Sequence, residues 1–251
     1  MDKYLFIGDI HGNLKLVKFL LKNFTRYKLC FIGDIVDSGG IRSSAEEVEC
    51  LHLILKSDCE LIRGNHEESY LNNSMRCSGW SPVTDILLKP LHKDIKIRSK
   101  YFIYFEEHNL LITHAGLSKT LWNNQQLTLP TLKDRLNHWV QLTNTPKTSP
   151  IHWIGSSRGG SSPVSGILWC DYNKDFEPID GLNQIFGHTS WIDADKDSQR
   201  SKITNGIRSI GNNYCIDCLN REYTFLEFDT KTGVFTEVHI PEYAINFLPG
   251  T

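Results

Sequence analysis

The chain has 251 residues, 40% of them hydrophobic and 22% charged, with a net charge of −2. That is enough apolar material for a buried core, and it reads as a single domain over 1–251. The near-neutral balance gives no general pull toward nucleic acid or anionic membrane. No apolar run approaches the roughly 18 residues of a membrane span. The N-terminus opens straight into a strand, without the charged lead and apolar region of a signal peptide.

In chain order, Tyr4–Ile7 is a short apolar strand that ends in Gly8-Asp9-Ile10-His11-Gly12. Leu14, Val17, Leu20, Leu21 and Phe24 then recur at close to 3.6 residues, which predicts a helix over Asn13–Phe24. Leu29–Ile32 is a second strand, ending in Gly33-Asp34-Ile35-Val36-Asp37. Ser44–Lys56 reads as a second helix, with Ser44 and Glu47 as its capping box and Val48, Leu51 and Leu55 as its stripe. Leu61–Ile62 leads into Gly64-Asn65-His66-Glu67. Strand, helix, strand, helix, strand predicts a parallel β-α-β core.

Residues 69–98 read as partly helical. Tyr101–Phe105 and Leu110–Thr113 form an expected hairpin across Glu107–Asn109, and Lys133–Leu142 an expected short helix carrying Trp139. Thr143–Pro163, rich in Thr, Ser, Pro and Gly, reads as a long loop of the kind that often carries function. From Gln184 the chain turns β-rich, over 184–187, 203–217, 222–229 and 234–240, with a turn at Lys231-Thr232-Gly233. The odd count of seven cysteines, several in apolar runs, fits reduced, buried thiols in a cytoplasmic protein. Cys215-Ile-Asp-Cys218 stands alone, without the second pair that a zinc site needs.

The three strand tips carry the chemistry. An apolar run ending in Gly-Asp or Gly-Asn is a buried strand delivering polar groups at its C-terminal tip. Asp9 and His11, two residues apart, reach one metal. Asp34, with two carboxylate oxygens, suits a bridge, and Asn65 offers an amide oxygen to a second metal. The remaining ligands are expected from two later strand tips that also abut a glycine: His114 in Ile112-Thr-His-Ala-Gly116 and His188 in Ile185-Phe-Gly-His-Thr189. Carboxylate, amide and imidazole donors suit a pair of divalent first-row metals, and two such metals a few Å apart hydrolyse phosphate esters through a bridging hydroxide. His66 is free to act as the general acid, with Asp37 orienting it and raising its pKa.

These motifs resemble the calcineurin-like metallophosphoesterases, and within them the phosphoprotein phosphatase branch, which carries GDxHG, GDxxDRG and GNHE preceded by Leu-Arg. Leu61-Ile-Arg63-Gly-Asn-His-Glu67 matches the last closely, and Ile167-Leu-Trp-Cys-Asp171 resembles a later segment of that branch. The resemblance implies a four-layer α/β sandwich of two mixed β-sheets flanked by helices, two divalent metals and hydrolysis of phosphate esters. Mn²⁺ is the expected metal, with Fe, Zn, Ni or Co as alternatives. The short chain is most like the bacterial and bacteriophage serine/threonine phosphatases.

One departure stands out: the arginine of GDxxDRG is Ser38 here. Serine keeps a hydrogen-bond donor but loses the charge and the two-pronged fork. Arg42, four residues on, and Arg158, in Gly155-Ser-Ser-Arg-Gly-Gly160, are candidates for binding the substrate phosphate beside Ser38. The expected substrate is a phosphorylated protein or another phosphate ester. The alternatives are a dinucleoside polyphosphate or other nucleotide phosphohydrolase and a non-catalytic phosphate-binding module.

Overall fold

The computed structural model describes residues 2–72, 75–144, 148–190, 202–219 and 222–246. Residues 73–74 and 145–147, within two of the segments read above, lie outside these. The chain divides into two compact units, Met1–Lys100 with Cys218–Thr251, and Tyr101–Asp217.

The first unit begins with β1 (Lys3–Ile7), α1 (Leu14–Asn23), β2 (Lys28–Phe31), α2 (Ser44–Lys56) and β3 (Glu60–Ile62). Helices α3 (Asn65–Leu71), α4 (Pro82–Leu88) and α5 (His92–Arg98) follow, then the short strand β4 (Ser99–Lys100). The second unit contains β5 (Phe102–Phe105), β6 (Leu110–Thr113), α6 (Lys119–Asn124), α7 (Leu132–Gln141), β7 (Asn183–Phe186), β8 (Lys202–Thr204), β9 (Ile207–Ile210) and β10 (Asn213–Cys215). The chain then returns to the first unit as β11 (Thr224–Asp229), β12 (Phe235–His239) and α8 (Glu242–Asn246).

The first sheet runs β12-β11-β1-β2-β3-β4. Strands β1 to β4 are parallel, as the alternation of strand and helix predicts, and β11 and β12 add antiparallel at the β1 edge. Parallel pairing brings the C-terminal tips of β1, β2 and β3 to one edge, where open α/β sheets bind ligands. Both faces of these strands are covered: Leu5, Phe6, Ile7, Phe31 and Ile62 have no exposed surface.

The second sheet runs β5-β6-β7-β10-β9-β8. The expected hairpin is present, with β5 and β6 antiparallel across a 3₁₀ turn at Glu106–His108. β6 and β7 are parallel, so the residues after both strands again leave from one edge. The predicted β segment 203–217 resolves into three strands. Its core gathers Cys170, Tyr172, Phe176 and Phe186, the last two with ring centroids 4.5 Å apart.

Two local expectations shift. The cap of α2 is Ser43, not Ser44: Ser43 Oγ accepts from Glu46 N, and Glu46 Oε2 accepts from Ser43 N at 3.0 Å. Glu47 turns inward instead and is almost fully buried. The loop 143–163 is not wholly irregular but contains short 3₁₀ turns at Pro150–His152 and Ser156–Arg158. Among the described residues, no helix is long and apolar enough to cross a membrane.

Candidate metal centre

The tips of β1, β2 and β3 converge in the first unit. One ligand atom each from Asp9, His11 and Asp34 lies within 4.8 Å of the other two. His11 Nδ1 lies 3.0 Å from the Val36 carbonyl. A proton donated there leaves Nε2 as the ligating nitrogen. Asn65, the first residue of α3, gives its amide Nδ2 to Cys77 Sγ at 3.1 Å, and its Oδ1 is the atom of the amide that suits a cation. Two carboxylates, an imidazole nitrogen and an amide oxygen fit a divalent first-row metal.

The backbone here is held in unfavourable conformations. His11, Asp34 and Asp37 have φ of 43°, 50° and 63°. Each such residue costs roughly 1–3 kcal/mol unless its surroundings over-determine it. They do. Ile10 N and His11 N donate to Asp34 O at 3.0 and 2.9 Å, and Gly12 N donates to Ile35 O at 2.7 Å. Glu67, fully buried, accepts from the backbone N–H groups of Asp34, Ile35, Val36 and Gly64 at 3.0, 2.7, 3.3 and 3.0 Å. One carboxylate thus moulds the Asp34 loop. Gly64 is obligatory, because a Cβ there would sit 2.2 Å from Asp34 Oδ1.

His66 follows Asn65 on α3. Its N–H donates to Asp34 Oδ1 at 3.1 Å, and its Nδ1 lies 2.9 Å from Asp37 Oδ2. Burial alone would lower the His66 pKa. The charge of Asp34 and the hydrogen bond to Asp37 outweigh it and push the value up to about 9. A cation on Asp34 cancels the first of these contributions and leaves that of Asp37. The other oxygen of Asp37 accepts from the Tyr70 hydroxyl, which in turn accepts from Ser81 N at 3.1 Å.

Ser38 and Arg42 lie just beyond. The Ser38 hydroxyl donates to Glu47 Oε1 at 2.7 Å and accepts from Arg42 N at 2.9 Å, so it serves the loop itself. The Arg42 stem packs on Gly12: a Cβ at Gly12 would lie 3.2 Å from Arg42 Cδ. That places Arg42 beside the Asp9–His11 turn.

In the second unit, the tips of β6 and β7 bring His114 and His188 together. His114 Nε2 lies 3.1 Å from His188 Nδ1. His188 again has positive φ, 68°, and Gly187 N donates to His114 O at 2.7 Å. Arg158 is tied to the same turn. Its Nη2 donates to Thr189 Oγ1 at 2.8 Å, and its Nε lies 3.2 Å from Asp171 Oδ2. Asp171, in turn, caps the backbone N–H groups of Asn173 and Lys174.

Sequence reasoning names the candidate donors and acid and passes over the residues that hold them: Glu67, Tyr70, Cys77, Asp171 and Thr189. Glu67, Asp171 and Thr189 stand inside the motifs quoted above, which is the available signal. Tyr70 and Cys77 had none.

The chain belongs to the calcineurin-like phosphoesterase family, whose model matches residues 3–191. It is therefore of a class of metal-dependent phosphoester hydrolases whose sites normally hold two divalent metals, and the donor groups described here are candidates to bind them. Two mixed sheets of six strands with flanking helices are the α/β architecture of that class. No curated protein gives a significant match. Among solved structures, a metallophosphoesterase from Sphaerobacter thermophilus aligns with a TM-score of 0.50 and 14% identity, over 95% of this chain and 88% of that one; it shows the shared fold. A protein serine/threonine phosphatase from Saccharomyces cerevisiae with similarity to human phosphatase PP5 aligns at 0.48 and 15%, over 96% and 80%. An archaeal phosphodiesterase aligns at 0.39 and 13%, over 95% and 99%.

Proposed function

We propose that the chain is a dimetal phosphomonoesterase of the protein phosphatase type, acting on phosphoserine and phosphothreonine. The carrying observation is the His66–Asp37 pair set directly beside the Asp9, His11, Asp34 and Asn65 donors. In this reading Asp9, His11, Asp34, Asn65, His114 and His188 hold two divalent cations, with Mn²⁺ as the expected metal. The family match, which runs from β1 beyond His188, supports treating both units as one catalytic domain. Bound there, two cations supply a nucleophile acidified toward neutrality and charge to offset the phosphoryl oxygens.

The remaining steps belong to side chains. Asp37 accepts the Nδ1 proton of His66 and fixes the ring, so Nε2 is the nitrogen that gives a proton to the leaving alkoxide. Arg158, held by Asp171 and Thr189, presents its guanidinium to the phosphate oxygens. Ser38, whose hydroxyl is engaged with Glu47 and the Arg42 backbone, shapes the loop, and Arg42 is a second cation for the substrate.

The test is hydrolysis of a phosphopeptide, an aryl phosphate monoester, its diester analogue and a dinucleoside tetraphosphate, with the protein metal-stripped and then restored with Mn²⁺. Metal-dependent turnover of the phosphopeptide is expected. Preference for the diester or the dinucleotide would move the substrate class, and absence of turnover with any metal would leave a phosphate-binding module.

A further inference from the structure

Beneath the His188 turn lies a second arginine. Arg208, on β9 and directly opposite Cys215 of β10, has no exposed surface, and among the described residues it pairs with no carboxylate. Its contacts are to neutral groups. Nη2 donates to the Thr189 carbonyl and lies 3.2 Å from Cys215 Sγ, and Nη1 donates to Asn173 Oδ1 at 3.3 Å. Nε makes no hydrogen bond, and Cζ sits 4.6 Å from the centroid of the Tyr172 ring. A cation taken wholly out of water without a counter-charge weakens a fold, and an apolar side chain of similar length would fill the same space without that penalty.

What Arg208 grips is the turn that carries His188. Thr189 N donates to Gly187 O at 2.8 Å across His188, whose φ is 68°. A hydrogen bond between residues two apart, closed around a positive φ, is a γ-turn of the rare and strained kind, which persists only where neighbours impose it. Arg208 holds it at the Thr189 carbonyl, and Cys215 Sγ lies 3.6 Å from both the Gly187 and the Thr189 carbonyl oxygens.

The restraint continues outward to Arg158 by two routes. The Thr189 hydroxyl oxygen accepts from Tyr172 N at 3.0 Å and from Arg158 Nη2 at 2.8 Å, so both of its lone pairs are committed. Asn173 takes Arg208 Nη1 on its Oδ1 and donates its N–H to Asp171 Oδ1 at 2.9 Å, and Asp171 Oδ2 faces Arg158 Nε at 3.2 Å. The buried guanidinium is thus joined to the partly exposed one at two different nitrogens of the latter. Two fixed points on a rigid planar group set its orientation.

We infer that Arg208 is a positioning residue for the substrate phosphate: it clamps the His188 γ-turn and, through Thr189 and Asn173, orients the guanidinium of Arg158. The inference rests on the hydrolase reading and on Arg158 as a phosphate-binding group within it.

Phenylphosphonate, an inert mimic of a phosphate monoester, titrated calorimetrically into the Mn²⁺-saturated protein tests it. Arg208→Met is expected to stay folded by its melting curve, because an apolar side chain replaces an unpaired buried charge, yet to bind phenylphosphonate about tenfold more weakly. In an Arg158→Ala background the same change is expected to alter affinity by less than about twofold, since its route is already cut. Arg208→Lys retains a donor for the Thr189 carbonyl but lacks the fork that also reaches Asn173, and is expected to fall between. Wild-type affinity in Arg208→Met overturns the proposal, and so does an equal loss in both backgrounds, which would assign Arg208 to the core alone. Where Arg208→Met does not fold, Arg208→Lys carries the same comparison across the two backgrounds. Turnover of an aryl phosphate by the wild type is read alongside. Turnover with phenylphosphonate affinity unchanged in Arg158→Ala sinks this inference alone, whereas neither turnover nor binding sinks the hydrolase reading and this inference with it.

Discussion

His66 Nδ1 and Asp37 Oδ2 stand 2.9 Å apart, with Asp37 also gripped by the Tyr70 hydroxyl and itself held at a φ of 63°. Asp37 has no freedom to turn away. It selects the tautomer of His66 and keeps Nε2 as the nitrogen facing Asp34, whose Oδ2 is 3.7 Å away.

If His66 is the acid, its removal must cost most where the leaving group most needs a proton. His66→Asn is expected to lower kcat by about 10²–10⁴ on an alkyl phosphate or phosphoserine peptide. On 4-nitrophenyl phosphate, whose phenolate departs unprotonated, the loss is expected to be much smaller. Asp37→Asn should show the same pattern less strongly. Equal losses on both substrates would remove the acid role.

Glu67 answers the backbone of two loops at once. Glu67→Ala strips the acceptor from the N–H groups of Asp34, Ile35, Val36 and Gly64, all inside the protein. Buried donors left unmatched cost about 1–3 kcal/mol each, offset in part by water entering the gap. A net loss of about 3 kcal/mol lowers the thermal midpoint by roughly 6–12 °C. Glu67→Gln keeps one acceptor oxygen and is expected to fall between. A midpoint within a degree of wild type in Glu67→Ala would show that the Asp34 loop is held by other bonds.

What could be read in advance follows from where information sits along a chain. A Gly-Asp at the end of an apolar run states its own place, so the three tips and the parallel order of β1 to β3 could be read directly, and the later histidines as candidate donors. The cap of α2 slipped by one residue because Ser43 and Ser44, with Glu46 and Glu47, offer two equivalent boxes. Ser38 and Thr84, which donate to the Glu47 carboxylate, decide between them. Cys77 reads as an ordinary apolar thiol, since nothing in its local pattern points twelve residues back to Asn65. Support of this kind is tertiary, and periodicity and spacing do not encode it.

Glu227 supplies a pH-dependent contribution to the first sheet. It accepts from Lys3 Nζ at 2.5 Å, across the β1–β11 pair, and from the Tyr27 hydroxyl at 2.8 Å. The Lys3 hydrogen bond, chiefly, holds its carboxyl below the ordinary 4.5. A folded pKa below the unfolded one means stabilisation that is complete above pH 4.5 and disappears as pH falls through the folded value. Glu227→Gln is therefore expected to melt below wild type near neutrality and to converge with it in acid. Melting curves for the two proteins from about pH 7 to pH 3 check this, and a gap that stays constant would assign the loss to packing.

Cys77 brackets Asn65 from both ends, giving its S–H to the backbone carbonyl and taking the side-chain amide. Burial, with the charge of Asp34 behind it, pushes the thiol up to about 12, so it stays protonated and able to donate. The consequence is orientation: while the sulfur holds Nδ2, the amide cannot flip and exchange Nδ2 for Oδ1. Cys77→Ser retains a donor and an acceptor and is expected to bind Mn²⁺ nearly as the wild type does. Cys77→Val has a similar volume but neither function, and is expected to weaken Mn²⁺ binding by about 10–100-fold, the usual cost of losing a group that orients a ligand. Titration calorimetry with Mn²⁺ alone reads this without turnover. If Val and Ser bind equally well, the sulfur only fills space and Asn65 is oriented by its other neighbours.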